Sequence, residues 1–365
     1  MAESDSWYHS MTMGKSSPAP SAKVQHGQFY TLRRPFDHPL FREWVAKIPK
    51  IKKKSFIEPF GGANNIIELS QSQLSGVSLS QWRSYDLHPE AISVNKVPEV
   101  PLIANDSILN PPQGDVCITN PPYLAKNSAK RMGYTVEFGG YGDLWELSIA
   151  KNLAAVDYLA AIIPESFLTR GLFHERLMGV ISITESLFDD TGFPVCLALW
   201  LKKPQGDFEV YIGDRRIGSY SEISERNPLS GIALDSDLKA RYNDPLGELG
   251  LRAVDSPKGA SIRYVRGEEI PSEQIKISSR AITRISLSRK SGADPLNGMS
   301  LDELISELNR AVEGYREATS DIFLTNFKSL REDGVYRRRL DWKTSDRFIH
   351  QLLGRSSASL FATSR

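Results

Sequence analysis

Four short stretches carry residue types suited to holding a small ligand and aligning a second one. Glu58 stands in "SFIEPFGGANN", followed by Pro59 and the glycines Gly61 and Gly62. Asp86 closes "WRSYDL", Asp106 closes "PLIAND", and "DVCITNPPY" delivers Asn120, Pro121, Pro122 and Tyr123. Each group follows a short apolar run. A Gly-rich turn lets the backbone approach a ligand closely. Pro stops a strand because it has no N–H for the ladder. An acid at the end of a second strand is the usual partner of ribose hydroxyls. Four such groups at successive strand ends, in chain order, point to an adenosine-containing cofactor.

These residues need elements that bring them to one edge. "SFIEPF", "WRSYDL", "PLIAND", "DVCITN" and "DYLAAIIP" read as buried strands, and "NIIELSQSQL" and "GDLWELSIAKNLAAV" as helices between them. "PFDHPLFREWVAKIP" spaces Phe36, Leu40, Phe41, Trp44, Val45 and Ile48 as one helical face. Strands alternating with crossovers predict a doubly wound, mostly parallel α/β sheet, Rossmann-like in architecture. "SITESLFDD" and "VCLALWLKK", joined by "TGFP", are too close for a crossover helix and predict an antiparallel terminal hairpin. After Lys203 the pattern changes to short strand-like pieces with no parallel unit. "SLDELISELNRAVEGYREA" then opens with a capping box, Ser300 to Glu303, and runs helical through Leu301, Leu304, Ile305, Leu308, Val312 and Tyr315. The expected division is a disordered tail over 1–24, a cofactor-binding catalytic domain over 25–204, and an α+β domain over 205–365.

The chain has 365 residues, 40% apolar and 24% charged, with a net charge of +1. That suits two soluble domains, and no apolar run is long enough to cross a bilayer. No signal peptide is expected at the N-terminus. The two cysteines, Cys117 and Cys196, sit in apolar runs and read as packed thiols of a reducing, cytoplasmic compartment. The six histidines show no zinc spacing, so no metal is expected. Basic residues concentrate between Lys23 and Lys54, in the acid-free run Lys276, Arg280, Arg284, Arg289 and Lys290, and at Arg337, Arg338 and Arg339. Each cluster alone reads as a solvated face; together they suit a phosphate-facing surface.

The dinucleotide fingerprint GxGxxG is absent. "EPFGGANN" instead resembles the first motif of S-adenosylmethionine-dependent methyltransferases, and "NPPY" resembles the catalytic motif of those that alkylate exocyclic amines or amides. "HGQFYT" resembles the cofactor-covering motif of adenine methyltransferases, which carries that role to Gln28, Phe29, Tyr30 and Thr31. "TGFPVCLALWL" resembles the late motif in which an aromatic, here Phe193, stacks on an extracted base. The order of motifs resembles the γ-class of DNA adenine-N6 methyltransferases, over residues 24 to 203. The resemblance implies a class I methyltransferase fold, S-adenosylmethionine held by Glu58, Pro59, Gly61, Gly62, Asp86, Asp106 and Asn120, and double-stranded DNA as partner. It allows a companion restriction endonuclease and implies a prokaryotic or phage origin. The region after 204 would be the target recognition domain. One departure stands out: Ala63-Asn64-Asn65 where the family has a further Gly. Asn tolerates positive φ, so the turn can survive.

The implied chemistry suits these residue types. An exocyclic amine is a poor nucleophile because its lone pair is delocalised into the ring. The Asn120 side-chain oxygen and the Pro121 carbonyl can each accept one of its N–H bonds, aiming the lone pair at a sulfonium methyl. Tyr123 offers a face for a base taken out of the duplex. Lys126, Lys130 and Arg131, in a Gly-containing loop from Leu124 to Tyr141, would follow a phosphate backbone. N4-cytosine in DNA, an RNA base and a protein glutamine are the alternative acceptors, and an inactive DNA-binding subunit is the non-enzymatic alternative. C5-cytosine chemistry is disfavoured, since it needs a nucleophilic Cys in an exposed loop.

Overall fold

The computed structural model describes residues 35–131, 136–184, 194–275 and 280–354. In the first half the strands are β1 (Phe56–Glu58), β2 (Trp82–Asp86), β3 (Leu102–Ala104), β4 (Val116–Thr119), β5 (Tyr158–Pro164), β6 (Leu177–Ser182) and β7 (Val195–Trp200). The helices among them are α1 (Pro39–Ala46), α2 (Asn65–Gln71), α3 (Lys126–Arg131) and α4 (Leu144–Ala155). Two further strands, β8 (Glu209–Ile212) and β9 (Arg215–Ser219), lead to the short helix α5 (Tyr220–Glu225). All nine strands form one sheet, in the order β3-β2-β1-β4-β5-β7-β6-β8-β9. The expected doubly wound, mostly parallel sheet with its antiparallel hairpin is therefore present.

Every residue of β1, β4, β5 and β7 is buried, which is why these strands read as continuous apolar runs. Cys117 and Cys196 are buried thiols in β4 and β7. One core cluster packs α1 against one side of the sheet through Leu40, Phe41 and Trp44, with Phe36 from the turn before it, and Trp44 Nε1 donates to Trp200 O at 2.9 Å. A second cluster, with Trp145, Ile149 and Phe167, covers the other side. Two expectations need correction. The hairpin partner of β7 is Leu177–Ser182, earlier than the expected run from Ser182 to Asp190, and residues 185–193 lie outside the described residues. A parallel unit does exist beyond Lys203, because β8 pairs parallel with β6 and carries the sheet on to Ser219. Of its four residues only Val210 is buried and the other three are half-buried, so they give no continuous apolar run to read.

The second half has β10 (Leu238–Tyr242), β11 (Leu249–Arg252), β12 (Arg263–Arg266) and β13 (Ile282–Arg289), in a sheet ordered β10-β13-β11-β12 with every pairing antiparallel. Helix α6 (Leu301–Thr319), the hairpin β14 (Thr325–Leu330) and β15 (Tyr336–Arg339), and helix α7 (Trp342–Leu353) complete it. The expected capping box opens α6: Ser300 Oγ accepts from Glu303 N, and Glu303 Oε2 accepts from Ser300 N at 2.8 Å. Leu304, Leu308 and Val312 of α6 and Phe348, Ile349 and Leu353 of α7 bury against Leu249, Leu251, Tyr264 and Ile285 of the sheet. Burial of side chains this size stabilises by about 1.5–3 kcal/mol each. Among the described residues no helix is long and apolar enough to cross a membrane.

Candidate active site

The strand order reverses between β1 and β4, and the groups expected to act sit at the carboxyl ends of these strands and their neighbours. The turn after β1 is tied to β2. Gly61 N donates to Tyr85 O at 2.6 Å, and Gly62 N to Asp86 Oδ2 at 3.0 Å. A Cβ at Gly61 would lie 2.2 Å from Ser84 Oγ and 2.7 Å from Leu102 Cδ2, so close packing on β2 and β3 requires glycine there. Asn64 adopts φ 61°, a positive φ of the kind anticipated for this turn. Its fully buried side chain accepts from Ser84 Oγ at 2.6 Å and donates to Asn95 Oδ1 and Val100 O, both at 2.9 Å. These bonds give the turn a rigidity that glycine would not supply.

Asp86 is buried and accepts from Gly62 N on one oxygen and His88 N on the other. A carboxylate oxygen has two acceptor sites, so each keeps one for an incoming hydroxyl. Asp106 lies two residues past β3 and accepts from Ile108 N and Leu109 N on Oδ1. Glu58 is unlike either. It is wholly buried, and Thr119 Oγ1 at 2.6 Å and Phe60 N at 2.9 Å both donate to Oε1. Oε2 is buried without a hydrogen-bond partner. Burial pushes the Glu58 carboxyl up to about 8, against the lowering effect of those two donors. A cation or donor reaching Oε2 would satisfy it.

Asn120 follows Thr119 directly, half-buried, so the residue that holds Glu58 also delivers the Asn-Pro-Pro turn. The Tyr123 hydroxyl lies 2.6 Å from Asn120 Oδ1 and 2.7 Å from the Ile162 carbonyl of β5. Burial holds its phenol well above the usual range, so it remains a neutral donor. The half-buried Tyr123 ring touches both core clusters. Beyond it, Leu144 N donates to Leu124 O and Lys126 N to Gly142 O, closing the base of the loop from Leu124 to Tyr141. Lys126, Lys130 and Arg131 are exposed on the short helix α3, which stands where a loop was expected, and Lys126 Nζ sits 6.0 Å from the Phe138 ring centroid.

Other expected residues separate. Gln28, Phe29, Tyr30, Thr31, Phe193 and Lys276 lie outside the described residues. Arg289 is a structural residue and not a phosphate contact: only 7% exposed, it bonds Asp235 Oδ2 at 3.1 Å and the Leu353 carbonyl at 2.6 Å. Arg284 is tied to the Ile270 and Pro245 carbonyls, both at 2.8 Å. Arg280 and Lys290 are exposed. The run appeared acid-free only because its acids, Asp235 and Asp237, come from another part of the chain. Lys47, Lys50, Lys52 and Lys53 are exposed just before β1, at the amino edge of the sheet and away from the Asn-Pro-Pro-Tyr turn. Lys54 there pairs with Asp115 at 2.8 Å.

One functional junction escaped sequence reading. Glu165 follows β5 at the same carboxyl edge, and Arg338 of β15 meets it with Nη2 on Oε1 at 2.9 Å and Nη1 on Oε2 at 3.1 Å. Both are 2% exposed. Ser182 Oγ donates to Glu165 Oε1 at 2.5 Å, and Glu165 N donates to the Pro194 carbonyl at 3.0 Å. The second half of the molecule is thereby fastened at the sheet edge that carries the Asn-Pro-Pro-Tyr turn. The only signal was Arg338 in the middle of a basic triplet, which gives no partner.

Solved structures resemble this fold. A protein from Listeria monocytogenes assigned to the class I S-adenosylmethionine-dependent methyltransferases matches over 48% of this chain and 64% of its own, at 18% identity and TM-score 0.38. The methyltransferase subunit of a type I restriction-modification system from Streptococcus thermophilus matches over 51% of this chain and 47% of its own, at 17% identity and TM-score 0.33. The type IIG restriction endonuclease BpuSI matches over 47% of this chain and 25% of its own, at 16% identity and TM-score 0.37. The chain thus spans less than two thirds of each, and all three TM-scores lie below 0.5. No protein-family model matches the sequence, and no curated protein matches it.

Proposed function

We propose that this chain is a DNA methyltransferase that transfers a methyl group from S-adenosylmethionine to the N6 amine of an adenine taken out of duplex DNA. One observation carries the reading. Asn120, opening an Asn-Pro-Pro-Tyr turn, stands one residue from the Thr119 that holds Glu58, at the strand-order switch of a doubly wound sheet. A ligand with an ammonium group, a diol and a reactive centre fits the residues there. Glu58 Oε2 is the buried acceptor for the ammonium, Asp86 has acceptor sites for ribose hydroxyls, Gly61 and Gly62 leave the backbone bare, and Asp106 stands at the next strand end. S-adenosylmethionine supplies an electrophilic methyl on a sulfonium when bound.

The chain's residues do the rest by positioning. Asn120 Oδ1 and the Pro121 carbonyl accept the two N–H bonds of the substrate amine, and Pro121 and Pro122 keep the two acceptors convergent. Asn120 Oδ1 can accept from both the Tyr123 hydroxyl and the amine, because an amide oxygen has two acceptor sites. The Tyr123 hydroxyl, anchored near Ile162 O, fixes both its own ring as a stacking face and the Asn120 rotamer. The proton leaves the alkylated amine, which is acidic, so no tuned general base is required. Target recognition falls to the sheet and helices from Leu238 to Leu353, since the strands up to Ser219 belong to the catalytic sheet.

The test is incubation of the protein with S-adenosylmethionine and a plasmid, followed by single-molecule sequencing for modified bases. N6-methyladenine at a short recurring sequence is the expected result. Unmodified DNA, with methylated RNA or protein in parallel incubations, would sink the reading.

A further inference from the structure

The antiparallel sheet of the second half has two faces of opposite character. Residues paired directly across antiparallel strands point to the same face. The face with Leu249, Leu251, Tyr264 and Ile285 is the core. The other face is set by Arg252, which pairs with Arg263 on one side and Ile282 on the other. It continues past the sheet's end. Val254 bridges to Arg339 of β15, and Ala253 N donates to Ala281 O, which sets Arg280 across from Val254. Two adjacent rows on one face therefore read Ile282–Arg252–Arg263 and Arg280–Val254–Arg339, about 7 Å apart along the strands.

Four arginines share that face, and none forms an ion pair with a carboxylate among the described residues. Arg263 and Arg280 are exposed. Arg252 donates only to a carbonyl, Glu269 O at 3.1 Å. The Nε atoms of Arg252 and Arg339 are both buried without a hydrogen-bond partner. Burial and the like charge of Arg280 lower Arg339 from its ordinary value, opposed only by Asp341. The Asp341 carboxylate already accepts from Thr325, from the Thr344 hydroxyl and from Thr344 N. Clustered guanidiniums with unmet donors suit a phosphate, whose oxygens accept the planar N–H fork. Arg338, the residue before Arg339 in β15, reaches Glu165 from the opposite face of that strand, so Arg339 is left to the patch.

We propose that Arg252, Arg263, Arg280 and Arg339 form a phosphodiester-binding patch that holds the sugar-phosphate backbone of the duplex. This rests on DNA being the substrate of the proposed methyl transfer. Because guanidinium contacts to phosphate displace counterions, each one adds about 0.9 to the slope of log affinity against log salt.

The experiment measures binding of a fluorescein-labelled duplex by anisotropy across a salt series. It compares the intact protein, the Arg263→Gln/Arg280→Gln/Arg339→Gln variant, and a Lys50→Gln/Lys52→Gln/Lys53→Gln variant just before β1. The arginine variant should bind about tenfold or more weakly near 0.1 M salt, with the slope lowered by about 2–3, while the lysine variant matches the intact protein. Cofactor affinity by calorimetry should be equal in all three, which reports an intact fold. If Arg339→Gln unfolds the chain, Arg263→Gln/Arg280→Gln, both exposed, carries the test with a slope change of about 2. Affinity and slope unchanged in the arginine variant overturn the patch, even where DNA is methylated. Patch-dependent binding by a protein that transfers no methyl to DNA upholds the patch and overturns the assigned reaction.

Discussion

Glu58 and Glu165 are the same residue type, both wholly buried or nearly so, both at the carboxyl edge of the sheet. Their surroundings are opposite. Glu165 has a guanidinium on both oxygens and a serine besides, so its charge is compensated within the molecule. Glu58 has two neutral donors on one oxygen and nothing on the other, and burial drives it towards its protonated form. A buried acid that is fully paired serves the architecture: this one joins the two halves of the molecule. A buried acid that is half-satisfied leaves an acceptor for a group from outside the chain, the role proposed for Glu58. Asn120 lies between them, linked to Glu58 through Thr119 and to β5, the strand that leads to Glu165, through Tyr123.

The sharpest way to break this contrast is to remove one partner of the compensated pair. Arg338→Ala should destabilise the chain by about 3–5 kcal/mol in urea unfolding, since it strands a buried carboxylate. An Arg338→Met/Glu165→Leu double variant should recover most of that loss. If the single variant changes stability by less than about 1 kcal/mol, the junction is not the fastening described. Next is Asn120→Ala, expected to lower the methyl-transfer rate about 10²–10³-fold. Its cofactor affinity should stay near that of the intact protein, and weakened cofactor binding with a normal rate would move Asn120 out of the transfer step.

Gly61→Ala sharpens the cofactor side. Its Cβ must displace Ser84 or the turn, so a loss of about 1–3 kcal/mol is expected by thermal unfolding, with weaker cofactor binding. Glu58→Gln acts on stability with the opposite sign. A carboxyl whose folded value is raised from 4.5 to about 8 takes up a proton on folding. Its contribution is fully present below the unfolded value and is lost as pH rises through 8. The intact protein should therefore lose stability across that window, and Glu58→Gln should flatten the loss and be the more stable of the two at pH 9. Cofactor binding by calorimetry should run the other way. Affinity should rise with pH up to about 8, because an ammonium needs the ionised acid, and Glu58→Gln should abolish that rise. A stability curve unchanged by the substitution would falsify the open-acid reading.

Much of the first half was legible because its strands are buried on both faces. "DVCIT" and "YLAAIIP" announce themselves as apolar runs, and the polar residues that end them mark the site. Asn64 was legible too, since only a few residue types tolerate its positive φ. β8 was not, because a four-residue strand near the sheet's far edge is only partly buried. The basic clusters were the least legible. Arg289, Arg338 and Arg280 look alike in sequence, yet one is buried against Asp235, one crosses to Glu165, and one is exposed beside Arg339.

By itself, the sequence determined the strand ends, the glycine turn and the Asn-Pro-Pro-Tyr turn, because strand propensity, turn chemistry and proline's missing N–H act over a few residues. Only the tertiary structure decided which charges are compensated. Glu165 meets Arg338 across 173 positions of chain, and Glu58 meets Thr119 across 61. Whether a carboxylate is paired, half-satisfied or open depends on burial and on neighbours brought from far along the chain, and no local pattern encodes either.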